Sequence, residues 1–208
     1  MIDGLITLDC EQGSDEWFKA RLGIPTATGL SSIVTASGAK SSASTTYLAE
    51  LIAECVLGTS DSFTSKAMSR GIELEPMARG AYEFLNDVEV TQVGGIYLNE
   101  DKKLMVSPDG IMPELKKGLE IKCPDMKTHI KYIFEDVLPS EYIIQVQASL
   151  WVTGYDSWDF MSYCPEYTPQ TCFVLNVKPD PKIQKAFDQH VPPFIERLEA
   201  FKKAQNLN

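Results

Sequence analysis

An α/β fold, with helices flanking a central mixed β-sheet, is what the sequence predicts, and three observations predict it. Apolar residues recur at helical spacing through the first third of the chain. The pattern then changes to strand alternation near Val88. From Leu119 onward, strand and helix patterns follow one another to a long amphipathic C-terminal segment.

The helical third opens at Ser14, whose hydroxyl can cap a helix carrying Trp17, Phe18 and Leu22 and ending near Gly23. Trp17 could serve a nucleic-acid ligand, but a tryptophan on an amphipathic helix is more often core, and it is expected on the core side. Thr26 or Thr28 can cap a short helix with Leu30 and Ile33. Thr35–Thr46, rich in small polar residues, reads as an exposed, mobile loop. Thr46 then begins a helix with Leu48, Leu51, Ile52 and Val56 on one side, closed by Gly58. A longer segment runs from Ser65 to about Asn86, and Pro76 inside it should bend or break it beside Glu75.

Val88–Val93 alternates, Gly94 and Gly95 can turn or bulge, and Ile96–Leu98 continues extended. Leu104–Ser107 and Leu119–Cys123 are further strands. Helices follow at about Met126–Asp136 and Ser140–Val152. Strands Trp158–Tyr163 and Thr171–Val177 precede a helix from about Pro181 to Ala204. No internal repeat or low-complexity linker interrupts this order, so 1–208 is treated as a single domain.

Composition narrows the function classes. At 208 residues, 44% hydrophobic and 23% charged, the chain can bury a core and does not read as disordered. No stretch approaches the ~18 consecutive apolar residues of a membrane span. Met1–Ile6 lacks the basic flank and apolar core of a signal peptide, so a cytoplasmic setting is expected. The five cysteines, Cys10, Cys55, Cys123, Cys164 and Cys172, form no Cys-x-x-Cys pair and read as free, mostly buried thiols. With only His129 and His190, ligand spacing for structural zinc is missing, and a Cys–His nucleophile is disfavoured. The net charge of −10 lowers the expectation of non-specific duplex binding. A local basic patch can nevertheless coexist with an acidic exterior, and metal-holding carboxylates count as negative in the tally.

The chemistry concentrates in two short runs. On the strand Leu119–Cys123, Glu120 and Lys122 share one face, and Leu119, Ile121 and Cys123 share the other. Asp109, between Pro108 and Gly110, ends the preceding strand and can approach Glu120 if those two strands form a hairpin. Two carboxylates and a lysine then converge, the set that metal-assisted phosphodiester hydrolysis needs. Carboxylate oxygens suit a hard divalent cation such as magnesium, which activates water and shields the phosphate. The lysine can orient or deprotonate the water and offset charge on the phosphoryl oxygens. The bland reading of Glu-x-Lys is a solvated strand face with an ion pair worth about 0–1 kcal/mol.

Around these residues the chain resembles the lambda exonuclease family, the YqaJ-type viral recombinases of the PD-(D/E)xK nuclease superfamily. Six blocks carry the resemblance in order: Glu11–Trp17, Arg21–Gly23 with Thr26–Thr28, Gly71–Arg79, Ser107–Gly110, Leu119–Pro124 and Gln145–Thr153. The resemblance implies a restriction-endonuclease-like core. The implied activity is a 5′→3′ exonuclease that degrades one strand of linear duplex DNA to mononucleotides. It further implies two magnesium ions, with manganese able to substitute, and a 3′ overhang passed to a single-strand annealing protein. A homotrimeric ring around the DNA, and a phage or prophage origin in a bacterial host, belong to the same expectation.

Residue by residue, Asp109 and Glu120 match the family's metal-binding carboxylates, and Lys122 its catalytic lysine. The carbonyl of Ile121 would complete the first metal's shell, and Glu75, rather than nearby Glu73, matches the acid associated with the second. Gln145 matches a glutamine that touches the active site from a helix, whereas Gln147 cannot share its direction. Arg21 matches the residue that binds the terminal 5′-phosphate, and Thr28 keeps a hydroxyl where a family member has serine. Met68 stands near an apolar residue that helps part the strands, or is an ordinary buried helix methionine. Thr35–Thr46 departs from the family, because Lys40 is its one basic residue where relatives grip duplex DNA.

Three alternatives use the same sequence. An endonuclease, or a nuclease of opposite polarity, could share the core. A non-catalytic recombination scaffold could keep the fold, although the intact Asp109, Glu120 and Lys122 argue against it. An enzyme acting on small phosphorylated substrates would suit the acidic charge.

Overall fold

The structure, a computed structural model, describes residues 2–59 and 66–207, the side chains of 66–68 excepted. The expectations for Ser65 as a helix start and for the Met68 side chain fall outside the described residues. In chain order the elements are β1 (Ile6–Leu8), α1 (Asp15–Arg21), a 3-10 turn (Gly29–Ser32), α2 (Ser44–Leu57) and α3 (Lys66–Asn86). Then come β2 (Gly95–Tyr97), β3 (Met105–Val106), β4 (Gly110–Met112), β5 (Lys117–Lys122), α4 (Met126–Glu135) and α5 (Ser140–Thr153). β6 (Ser157–Tyr163), β7 (Cys172–Val177) and α6 (Pro181–Ala204) complete the fold.

The α/β class stands, but the strands divide into two sheets rather than one. β1, β2 and β3 form an antiparallel sheet, and β4-β5-β6-β7 form the mixed one, with β5 and β6 parallel. The chain between β5 and β6 contains α4 and α5, the helical crossover that a parallel pair requires. Val88–Val93 is not a strand: only Thr91 pairs, as an isolated bridge to Ile111. Its alternation reflects burial of Val90 and Val93. A Cβ at Gly110 would come within 2.1 Å of Val90 Cγ1, so Val90 fills the space that glycine leaves.

The helix boundaries follow local chemistry. Ser14 accepts the Trp17 N–H at 3.2 Å and caps α1. Gly58 and Gly154, each at φ +65°, close α2 and α5 in the left-handed conformation. α3 runs through Pro76 without interruption. Pro76 and Ile72, whose carbonyl loses its partner there, are both exposed, so water can serve the freed group. Thr35–Thr46 is a hydrogen-bonded reverse turn running into α2, not an open loop. Thr35 donates its N–H to Ala39 O and Ser41 to Ile33 O, both at 2.8 Å, and α2 begins at Ser44, before Thr46.

Two packed regions fix the mixed sheet. Trp158 lies in the larger core with Ile144, Val146 and Leu150 of α5 and Phe187, Val191 and Leu198 of α6. On the face of β5 turned to α3, Leu119, Ile121 and Cys123 pack with Ala78, Tyr82, Met112 and Met161. Asp159, buried on β6, accepts Tyr82 OH and Asn176 Nδ2 at 2.6 Å each, and Lys117 Nζ lies at 3.1 Å. This satisfied buried carboxylate ties α3, β5 and β7 together beneath the candidate site.

Candidate active site

The site forms where β4 stops and β5 continues. β4 and β5 are an antiparallel pair with Gly110 opposite Leu119, so the hairpin partner of β5 is β4 and not the earlier strand containing Met105 and Val106. Pro108 has no N–H to extend the ladder. Instead, Asp109 Oδ2 accepts the N–H of Ile121 at 2.6 Å. The carboxylate takes the place of a strand partner and is thereby held beside Glu120.

Glu120 is not on a solvated face. It is 1% exposed, and its Oε1 accepts both Lys122 Nζ at 2.5 Å and Gln145 Nε2 at 2.6 Å. The bland reading of Glu-x-Lys fails because α5 covers this face of β5. Lys122 also lies 5.1 Å from the Tyr142 ring centroid, a cation–π distance on the same helix. Gln147 points elsewhere, as expected, donating to Lys178 O and accepting the Asp180 N–H at the entry to α6.

Glu75 enters from α3, while Glu73 is exposed. Arg79, one helical turn on and buried, pairs with Glu75 Oε1 and donates from Nε to the Asp109 carbonyl at 3.2 Å. The sequence reading missed Arg79 as a site residue. Its signal was present, since i and i+4 side chains on a helix meet and Arg79 lies in the matching block with Glu75. The Asp109 carbonyl contact is legible only from the fold.

Electrostatics mark the cluster as under-neutralised. Burial first, with Asp109 adding repulsion against the attraction of Lys122, pushes the Glu120 carboxyl up to about 7. Burial also raises Asp109, against Lys122, the Ile121 N–H and Arg79. Glu75 is raised by burial and then by Asp109, with Arg79 and Lys122 opposing. For Lys122, burial works against the charge, but Glu120 and Asp109 outweigh it and hold the ammonium above its ordinary value. The neighbouring Cys123 thiol is pushed up to about 11 by burial, with Glu75 and Asp109 adding to it, which disfavours a thiolate nucleophile.

Three buried or half-buried carboxylates facing two cations are a hard-oxygen donor set with unspent negative charge, which suits a divalent ion. Among the described residues, no three His, Cys, Asp or Glu side chains close into a metal cage. Lys122 and Gln145 hold Glu120, Arg79 holds Glu75, and the Ile121 N–H holds Asp109.

Of the end-reading candidates, Arg21 sits beside this cluster. Arg21 Nη1 donates to Ser107 Oγ at 3.0 Å, two residues before Asp109, and its guanidinium lies 4.1 Å above the Trp17 ring. Trp17 Nε1 donates to Gly94 O at 2.8 Å and to Ser107 Oγ at 3.2 Å. Trp17 is therefore a half-buried support for Arg21 and not a core residue; α1 has no buried side chain. Burial lowers the Arg21 guanidinium from its ordinary value, with Tyr47 and Glu54 opposing. Thr28 is exposed and precedes the 3-10 turn, but its hydroxyl makes no capping bond. All five cysteines are free; Cys123 and Cys164 are buried and the other three half-buried.

Comparison with known proteins gives the family and the fold. Residues 16–156 match the YqaJ-like viral recombinase domain. The alkaline exonuclease LHK-Exo from Laribacter hongkongensis is 34% identical, with a TM-score of 0.80 over 94% of this chain and 100% of that one. The same exonuclease has been solved in complex with dAMP, with a TM-score of 0.79. A phage-related exonuclease from Haemophilus somnus 129PT, 14% identical, shares the fold at a TM-score of 0.70 over 88% of this chain and 96% of that one. Protein R354 of Acanthamoeba polyphaga mimivirus is 29% identical over 81% of this chain, which spans 32% of R354.

Proposed function

The chain belongs to the YqaJ-like viral recombinase family, and from that premise we propose that it is a magnesium-dependent exonuclease. Membership, together with the likeness to an alkaline exonuclease, supports a nuclease role. In this reading the enzyme degrades the 5′-ended strand of linear duplex DNA to mononucleotides and leaves a 3′ overhang. The observation that carries the proposal is the convergence of Asp109, Glu120 and Lys122 at the free edge of β5, with Gln145 closing on Glu120.

Asp109, Glu120 and the Ile121 carbonyl would hold one magnesium ion and Glu75 would serve a second, with manganese able to substitute. Bound there, the ions supply a Lewis acid and an activated water. Lys122, held as an ammonium by Glu120, orients the attacking water and offsets charge developing on the phosphoryl oxygens. Gln145 fixes the Glu120 carboxylate, and Arg79 limits how far Glu75 can stray from Asp109. Arg21 and Thr28 take the terminal 5′-phosphate, for which the guanidinium beside Ser107 is suited by geometry and charge. Binding of a deoxynucleoside monophosphate by LHK-Exo agrees with mononucleotide release.

The overhang would pass to a single-strand annealing protein, and three copies would form a ring on the duplex. The setting would be the cytoplasm of a bacterial host, with phage or prophage origin. Among the described residues, no helix is long and apolar enough to cross a membrane.

The test is digestion of 5′-phosphorylated linear duplex, labelled at either end, with magnesium or with chelator. Magnesium-dependent release of mononucleotides from the 5′ end is the expected result. Equal cutting of circular DNA would replace this reading with an endonuclease, and absence of digestion would favour a scaffold.

A further inference from the structure

Among the described residues, eight cations of this acidic chain stand in ion pairs; Lys19, Lys102, Lys127, Arg197 and Lys203 are exposed outside them, and four further lysines lie together. Arg70, Arg79, Lys103, Lys116, Lys117, Lys122, Lys131 and Lys202 all stand in ion pairs. Among the described residues, Lys40, Lys178, Lys182 and Lys185 are exposed and in none of these pairs.

The fold gathers these four. Lys178 leads into α6, and Lys182 and Lys185 stand three apart in its first turns, where such side chains are neighbours. Lys182 reaches the turn that carries Lys40: a Cβ at Gly38 would lie 3.0 Å from Lys182 Cγ and 3.4 Å from its Cε. Gly38, at φ +75°, leaves room for that stem. Two exposed acids, Asp180 and Asp188, stand on the same stretch of chain and offset part of its charge. Asp180 accepts the N–H groups of Lys182 and Ile183, and Asp188 accepts Trp151 Nε1 at 2.9 Å.

Position relates this ridge to the site. Gln147 binds the entry to α6 from one side of α5, and Gln145 reaches Glu120 from another. On the other side, the Gly38 turn follows Thr28 and the 3-10 turn directly in the chain.

We propose that Lys40, Lys178, Lys182 and Lys185 form a binding ridge for the phosphate backbone of duplex DNA, assembled from the Gly38 turn and the start of α6. The inference rests on the nuclease reading for the identity of its polyanion. It accounts for how a chain of net charge −10 can hold DNA, since four lysines beside Asp180 and Asp188 leave a local positive excess. It also assigns duplex contact to the C-terminal helix, with Lys40 as one contributor among four.

The experiment is fluorescence anisotropy of full-length protein on a short 5′-hydroxyl duplex in chelator, between about 50 and 200 mM salt. Each lysine seated on a phosphate contributes about 0.9 to the slope of log affinity against log salt. The variant K40Q/K178Q/K182Q/K185Q is expected to lose about 3.6 from that slope and to bind on the order of 10-fold or more weakly at low salt. The charge-keeping variant K40R/K178R/K182R/K185R should retain the slope, which separates charge from folding. R197Q/K203Q, on the far part of the α6 region, should leave it unchanged. An unaltered slope in the glutamine variant, or an equal fall in R197Q/K203Q, would overturn the ridge. If wild type digests no DNA but the slope still falls as stated, the ridge stands and the nuclease reading fails.

Discussion

Gln145 and Lys122 converge on one oxygen, Glu120 Oε1, at 2.6 and 2.5 Å from two different elements. A buried carboxylate oxygen receiving an amide and an ammonium is oriented by both, and neither donor can be replaced by water without opening the face covered by α5.

Lys122→Ala is expected to lower turnover by at least about 100- to 1,000-fold, the usual cost of removing a preorganised donor at a developing charge. Duplex affinity should stay within a few-fold, because Lys122 lies inside the acidic cluster and not on the lysine ridge. Single-turnover rates alongside anisotropy check this, and equal loss of both would contradict the assigned role.

The raised Glu120 carboxyl has a signature in stability. Between the ordinary carboxylate value, about 4.3, and about 7, the folded state keeps a proton that the unfolded chain has lost. Stability therefore falls as pH rises through that window and levels off above it. Glu120 alone contributes on the order of 4 kcal/mol at most, and Asp109 and Glu75 act in the same direction. Thermal unfolding in chelator from about pH 5 to 8 should show the decline, and Glu120→Gln should flatten it. Parallel curves for the two proteins would refute the assignment.

Arg21→Ala should slow 5′-phosphorylated ends by about 10- to 100-fold, the worth of one or two charge-assisted hydrogen bonds. Ends carrying a 5′-hydroxyl should be slowed far less. The ratio of kcat/KM between the two ends is the measurement, and a common loss would remove Arg21 from the phosphate pocket.

Tyr82→Phe removes the donor at 2.6 Å to Asp159 and leaves that buried carboxylate short of a partner. The expected cost is about 1–3 kcal/mol in denaturant unfolding. Asn176 and Lys117 still reach Asp159, so the fold should persist. An unchanged midpoint would show that the network does not hold α3 to the sheet.

Gly23→Ala tests the support of the Arg21 helix. Gly23 sits at φ +67°, and an added Cβ would fall 2.1 Å from Cys55 Sγ. Its N–H donates to Glu54 at 2.9 Å and its carbonyl accepts Lys202 Nζ at 2.7 Å. A loss of about 1–3 kcal/mol is expected from backbone strain, with further loss from the clash. A melting temperature equal to wild type would rule the clamp out.

Local chemistry by itself determined the helices, because capping and periodicity act within a few residues. Ser14 and Gly58 mark ends that the structure keeps, and Pro181–Ala204 spans the predicted segment. The face shared by Glu120 and Lys122 follows from strand alternation alone. Tertiary structure decided what alternation cannot carry. Val88–Val93 has the pattern of a strand, yet only Thr91 finds a partner, since side-chain burial and ladder pairing are separate requirements. Whether Glu120 would be solvated or buried depended on α5 covering it. Which strand Asp109 would meet depended on Pro108 ending the ladder. Lys182 reached the Gly38 turn only because α6, more than 140 residues further along the chain, packs beside it. Contacts at that separation leave no local trace, so the catalytic residue types were legible in the sequence while their partners were not.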